Sequence, residues 1–253
     1  MSDGRLALGI SRGSPETALR GYEAFGYTGA VDPRGIDLAR AKFDLFLHAA
    51  EGGTVVDADP QMGPAGRLAV EPHSDTLRDH IWWGAGSRDT AEEAGRRGLN
   101  LMSSTLLTEA TGQPFHELQR EQIDAFRAAY REAGHTGRPR VSVSRSVFPL
   151  ITEQDRLFFG LPSRDSRDQI GIIDGERSTF GKTYADEPDL LIEQLRRDEA
   201  VMAADSLMLT IPSQLGPEYC LHILQAFAEH VAPALGWQPN TEGPVAGDAV
   251  APE

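Results

Sequence analysis

Short apolar runs, each closing on small or hydroxyl-bearing residues and most followed by a helix-length amphipathic stretch, recur along this chain. The runs are Leu6 to Ile10, Asp79 to Gly84, Leu99 to Met102 and Ser206 to Ile211, while Arg140 to Ile151 alternates, with Val141, Val143 and Val147, and also suits a strand. A continuous apolar run suits a strand covered on both faces, which is the habit of parallel sheets. Between the runs, apolar residues recur at helical spacing. The pattern predicts helices over Ile36 to Ala50, from Ser87 as N-cap to about Arg97, Phe115 to Ala133, Glu187 to Ala204, and Tyr219 to Leu235. Strand and helix alternating in this way predict an α/β fold on a parallel sheet, with ligands taken at the carboxyl ends of the strands.

Two stretches interrupt the alternation. Residues 54–78 are rich in Pro, Gly and Asp and read as an excursion with one short hairpin; residues 160–185 read as a polar, glycine-rich stretch. From Gln238 onward bulky apolar residues nearly vanish, so 238–253 is expected to be a disordered tail after a domain spanning 1–237.

Charge and cysteine content narrow the partners. The formal net charge is −14, which disfavours nucleic acid and anionic membrane surfaces. No apolar run reaches the ~18 residues of a membrane helix. The single cysteine, Cys220, rules out an internal disulfide and reads as a small buried apolar residue. With no basic-then-apolar leader at Met1, these features point to the cytoplasm. The histidines show no metal-ligand spacing, and His73 and His80 read as loop residues. Trp82 and Trp83 read as packing residues.

Two turns carry the candidate chemistry: Gly9-Ile10-Ser11-Arg12-Gly13 and Trp83-Gly84-Ala85-Gly86-Ser87-Arg88-Asp89-Thr90. The first fits the Gly-x-Ser-x-Gly nucleophile elbow, with His222 and His230 downstream, although that fold needs several strands ahead of the serine. In the second, Gly84-x-Gly86 could open a dinucleotide fingerprint, but the third glycine would fall at Asp89, an anion facing a pyrophosphate. A mononucleotide phosphate suits it better. Gly86 permits close backbone approach, the helix start offers unpaired N–H groups, and Ser87 and Thr90 add hydroxyls three residues apart. Arg12 could supply a charge-assisted bond. On spacing alone, a helix cap at Ser87 and an ion pair from Arg12 to Glu16 explain the same residues.

These segments resemble the luciferase-like flavin monooxygenases. The likeness runs through Gly4–Glu16 with Phe25-Gly26-Tyr27, Trp83–Ala94, Gly98–Ser104, Phe180–Pro188 and Pro212–Gly216, in the family's order. The resemblance implies a (β/α)8 TIM-barrel type of fold and a reaction of reduced flavin with O2 that inserts oxygen into a small organic substrate. It implies FMN supplied by a partner flavin reductase, with the deazaflavin F420 and hydride transfer as the alternative. Arg12, Ser87 and Thr90 would contact the flavin phosphate, and Gly86 would give it backbone approach where some relatives carry a glutamate. Ser11 would lie by the ring and Phe25 in the substrate pocket. A homodimer is the implied assembly. Catalytic residues are not assigned.

Leu6 to Ile10 resembles the family's fourth strand. The chain then carries about five βα units, equivalent to strands 4–8, and the first three, roughly 90–100 residues, have no counterpart ahead of it. A degenerate, non-catalytic flavin-binding barrel fragment and a start codon placed too late are both compatible with that; a serine hydrolase at Ser11 is a remote reading.

Overall fold

The computed structural model describes residues 6–10, 33–74, 76–161, 166–173 and 176–238. They fall in two compact units, within residues 1–82 and 83–243. In the first unit lie β1 (Leu8–Ile10), the helix α1 (Pro33–Ala50), and the antiparallel hairpin β2 (Thr54–Asp57) and β3 (Arg67–Ala69). Phe43 and Leu47 are buried along α1, and Phe43 stacks on Phe46. Gly52, at φ +80°, ends the helix in the left-handed conformation that glycine adopts without strain. The hairpin expected within 54–78 is present, and an ion pair joins Arg78 to Glu51. The strand expected at Leu6 to Ile10 exists over its last three residues but is not buried, and Leu6 is 53% exposed. An apolar run records the capacity for burial, not what covers it. His80 also departs from the loop reading: it is buried at the end of a 3-10 turn, Leu77–His80.

The second unit begins within β4 (Ile81–Ala85) and holds α2 (Arg88–Arg96), β5 (Asn100–Ser103), β6 (Leu106–Leu107), α3 (Phe115–Glu132), β7 (Val141–Arg145), β8 (Val147–Pro149) and α4 (Glu153–Phe159). It continues with β9 (Gln169–Ile173), β10 (Glu176–Phe180), β11 (Tyr184–Asp186), α5 (Pro188–Arg196), α6 (Glu199–Ala203), β12 (Ser206–Leu209) and α7 (Pro217–His230). Its main sheet runs β4-β5-β7-β12, with β5–β7 and β7–β12 parallel. That is the parallel α/β arrangement that the apolar runs imply. Ala85, Leu101, Val141 and Val143 meet Ala91 and Ala94 of α2, Ile123 and Phe126 of α3, and Ala200 of α6 in one core. Gly95 brings α2 against α3: a Cβ there would strike the Phe126 carbonyl and lie 3.0 Å from the Tyr130 nitrogen.

Four details depart from the sequence reading. The strand expected from Arg140 to Ile151 is broken at Ser146 into β7 and β8, because its halves pair with different neighbours, β12 and β11. The polar stretch at 160–185 holds a hairpin, β9–β10, which joins β6 in an antiparallel sheet. There Gly171 is required by the Phe180 ring, 2.9 Å from where a Cβ would stand. The helix expected over 187–204 is two, because Asp198 turns its carboxylate inward and caps α6 through the Val201 N–H at 2.9 Å. Cys220 is half-buried and offers its thiol to the Pro212 carbonyl at 3.8 Å.

Candidate functional site

Gly86 to Thr90 joins β4 to α2. Ser87 takes an extended conformation and caps the helix, its Oγ accepting the Thr90 N–H at 3.3 Å. The two hydroxyls lie 2.9 Å apart and half-buried. When one donates to the other, the second proton remains available to a ligand. At Gly86, a Cβ would have the Thr108 methyl at 3.9 Å as its near neighbour, so there is room above the backbone. The Gly86 carbonyl is held from behind by the Thr108 N–H at 2.6 Å and the Thr108 hydroxyl at 3.0 Å.

A buried chain of amides and hydroxyls fixes this turn to the end of β5. Gln122 Nε2 donates to the Ser87 carbonyl at 3.1 Å, and its Oε1 accepts from Ser103 Oγ at 2.6 Å. Gln119 Nε2 donates to Ser103 Oγ at 2.8 Å and to the Ser104 carbonyl at 2.9 Å. The ends of β4 and β5 therefore share one edge of the sheet. Neither glutamine stood out in the sequence; both occupy core-facing positions of α3, among apolar residues. Glu109 adds an unexpected charge, its Oε1 accepting the Arg88 N–H at 2.8 Å. A carboxylate already sits on the first amide of α2, where the helix dipole favours an anion.

Further along that edge, Arg145 closes β7, 2% exposed. Its Nε and Nη2 donate to Asp198 at 2.7 and 2.9 Å, its Nη1 to the Ser144 carbonyl, and its guanidinium lies 5.1 Å from the Phe115 ring centre. The Tyr184 hydroxyl donates to Asp198 at 2.7 Å. Burial works to raise the Asp198 pKa, but the Arg145 bonds and charge, with the Tyr184 and Val201 donors, hold it below its ordinary value. Burial and the Asp198 charge push the Tyr184 phenol up. Arg145, Phe115 and Tyr184 line a cavity of about 250 Å3 together with Lys182, Arg167 and Asp168.

A second buried carboxylate, Asp155, ties α7 to α4. It completes a capping box with Thr152, also accepts the Ile151 N–H, and takes hydrogen bonds from Tyr219 and from His222 at 2.9 Å. Burial tends to raise its pKa, and the Tyr219, Thr152 and His222 bonds bring it below the ordinary value. The capping box and α4 fall between the expected strand ending at Ile151 and the polar stretch beginning at 160, where the sequence reading assigned no element.

Among the proposed site residues, Gly86, Ser87 and Thr90 come together at one turn. Ser11, Arg12 and Phe25 lie outside the described residues.

The sequence signature of the luciferase-like monooxygenases matches residues 1–157. The chain belongs to this family. Several solved proteins share the fold. The monooxygenase RslO1 from Streptomyces bottropensis aligns over 92% of this chain and 69% of its own, with TM-score 0.60 and 18% identity. The oxygenating constituent of 3,6-diketocamphane monooxygenase from Pseudomonas putida, a type II Baeyer–Villiger enzyme in complex with FMN, aligns over 92% and 71%, with TM-score 0.55 and 16% identity. The coenzyme F420-dependent tetrahydromethanopterin reductase of Methanopyrus kandleri aligns over 92% and 75%, with TM-score 0.54 and 14% identity. No curated protein matches the chain. These fold neighbours thus include both an FMN-bound and an F420-dependent protein. No helix among the described residues is long and apolar enough to cross a membrane.

Proposed function

We propose that this luciferase-like chain is a flavin-dependent oxidoreductase that holds the phosphate of FMN at Gly86, Ser87 and Thr90, with Arg12 as its charge partner. The observation that carries this reading is the half-buried hydroxyl pair, 2.9 Å apart at the start of α2, beside the open space over Gly86. The donors fit a phosphate: two hydroxyls, a helix start and room for an oxygen. Glu109 and Asp89, the latter in the first turn of α2, oppose an anion, and Glu109 must leave the Arg88 N–H for a dianion to settle there. Reduced FMN, delivered by a partner reductase, would supply the O2 chemistry that places oxygen on a small organic substrate. The chain's own part is to hold the phosphate, orient the ring and keep water out. Ser11 would then lie by the ring and Phe25 in the substrate pocket. We take residues 1–237 to be a partial domain of (β/α)8 TIM-barrel type, with about five βα units, in a cytoplasmic, homodimeric protein.

F420 with hydride transfer is the second reading, favoured by the likeness to the F420-dependent reductase. Fluorescence titration with FMN, riboflavin and F420 tests both. FMN binding at least tenfold tighter than riboflavin, lost in Ser87→Ala/Thr90→Ala, supports the phosphate site. Equal affinity for FMN and riboflavin refutes it, and tight binding of F420 alone selects the second reading. If flavin binds but no turnover follows, the degenerate, non-catalytic flavin-binding fragment is the better description. Labelling of Ser11 by a fluorophosphonate would favour a hydrolase.

A further inference from the structure

The 250 Å3 cavity beside Arg145 carries more positive charge than its own carboxylates neutralise. Its lining holds Arg145, Arg167 and Lys182 against a single acid, Asp168. Asp168 is spent on backbone: its Oδ2 accepts the Phe115 N–H at 2.8 Å and its Oδ1 the Lys182 N–H at 2.9 Å. Arg145 is matched by Asp198, which lies behind it. Lys182 and Arg167 are left. The Lys182 ammonium sits 4.7 Å from the Tyr184 ring centre, and neither cation makes an ion pair with a described carboxylate. In a chain of net charge −14, with carboxylates abundant, two cations on one cavity with no counter-ion among the described carboxylates mark a place prepared for an anion.

The walls say what else the ligand carries. Phe115 and Tyr184 are nearly fully buried and present carbon to the cavity. Its volume is below the ~300–1,000 Å3 of pockets for drug-sized ligands. A ligand of one ring bearing one carboxylate matches both the space and the charge. We infer that this cavity binds a small aromatic carboxylate, its anion held by Lys182 and Arg167 and its ring against Phe115 and Tyr184. The cavity opens at the start of α3, and Gln122, which braces the Ser87 turn, lies two helical turns further on. At 1.5 Å per residue the two sites stand about 10 Å apart along α3. Resting on the reading given under Proposed function, this ligand would be the organic substrate, placed on the same sheet edge as the cofactor phosphate.

Calorimetric titration of the full chain, without flavin, tests the cavity on its own. The ligands are benzoate, its neutral counterpart benzamide, and acetate, an anion without a ring. Benzoate is expected to bind at least tenfold more tightly than either. Lys182→Met should weaken benzoate by about tenfold at an unchanged unfolding midpoint, Lys182→Arg should keep most of the affinity, and added salt should lower it. Equal binding of benzoate and benzamide, no benzoate binding at all, or full affinity in Lys182→Met would overturn the proposal. Because no flavin is present, failure of the FMN titration leaves this result standing, and failure here leaves the phosphate site standing.

Discussion

Replacing Asp198 by Asn should be among the most damaging single changes available in the second unit. The Asp198 carboxylate accepts four donors: Arg145 Nε at 2.7 Å, Arg145 Nη2 at 2.9 Å, the Tyr184 hydroxyl at 2.7 Å and the Val201 N–H at 2.9 Å. Asparagine keeps one acceptor oxygen and turns an NH2 toward at least one of these donors. The larger loss is the charge. Arg145 stays protonated at any ordinary pH, so a guanidinium 2% exposed is left without its counter-ion. Breaking a buried pair from one side costs about 3–5 kcal/mol. A domain is stable by about 5–15 kcal/mol, so the urea midpoint should fall by about a fifth or more. If the stranded charge is the cause, Arg145→Met added to Asp198→Asn should recover much of the loss. A double variant as unstable as the sum of the singles, or a loss under 1 kcal/mol in Asp198→Asn alone, would refute the reasoning. The pH dependence follows in sign. The folded Asp198 has a lowered pKa, so its contribution is full above the unfolded value and is lost as pH falls below about 4. The gap between wild type and variant should narrow in that range.

Ser87→Ala removes the N-cap of α2 and should cost about 0.5–2 kcal/mol, read as a lower urea midpoint; no change would mean that the cap is idle. Gly95→Ala should destabilise by about 1–3 kcal/mol despite alanine's helix propensity, because the methyl meets α3 backbone; a raised midpoint would show that the helices can part freely. Glu109→Gln should tighten FMN severalfold by removing an anion from the phosphate's place; unchanged or weaker FMN binding would mean that the phosphate does not approach the Arg88 N–H.

The alternation of strand and helix was legible because β4, β5 and β12 fall on apolar runs and β7 on an alternating one, with helical spacing between them, although β12 stays partly exposed. The turn at Ser87 was legible too, since a hydroxyl before a helical pattern has few other uses. What stayed hidden depends on partners far away in the chain. The split at Ser146 follows from two neighbouring strands that local pattern does not reveal. The β9–β10 hairpin hides because β10 has a single apolar residue, Phe180, and its mate β9 leaves Ile170 and Ile172 exposed. Gln119 and Gln122 sit in core positions as polar residues, and only the ends of β4 and β5 explain why. Asp198 and Arg145 lie 53 residues apart, and only the fold brings them together.

The divided strand β7–β8 has a consequence for the order of assembly. Its partners β11 and β12 both lie much later in the chain, after the β9–β10 hairpin and, for β12, after two further helices. By contrast, α2 and α3 are near neighbours and pack at Gly95 with only β5 and β6 between them. Contacts close in sequence form early, and distant ones wait on loop closure. During synthesis the α2–α3 pair can collapse while the strand Val141–Pro149 still shows open edges on the side of β11 and β12. Backbone amides of β8 should therefore be among the last of the sheet to gain protection from exchange, and that interval is when this chain is most exposed to pairing with the wrong strand.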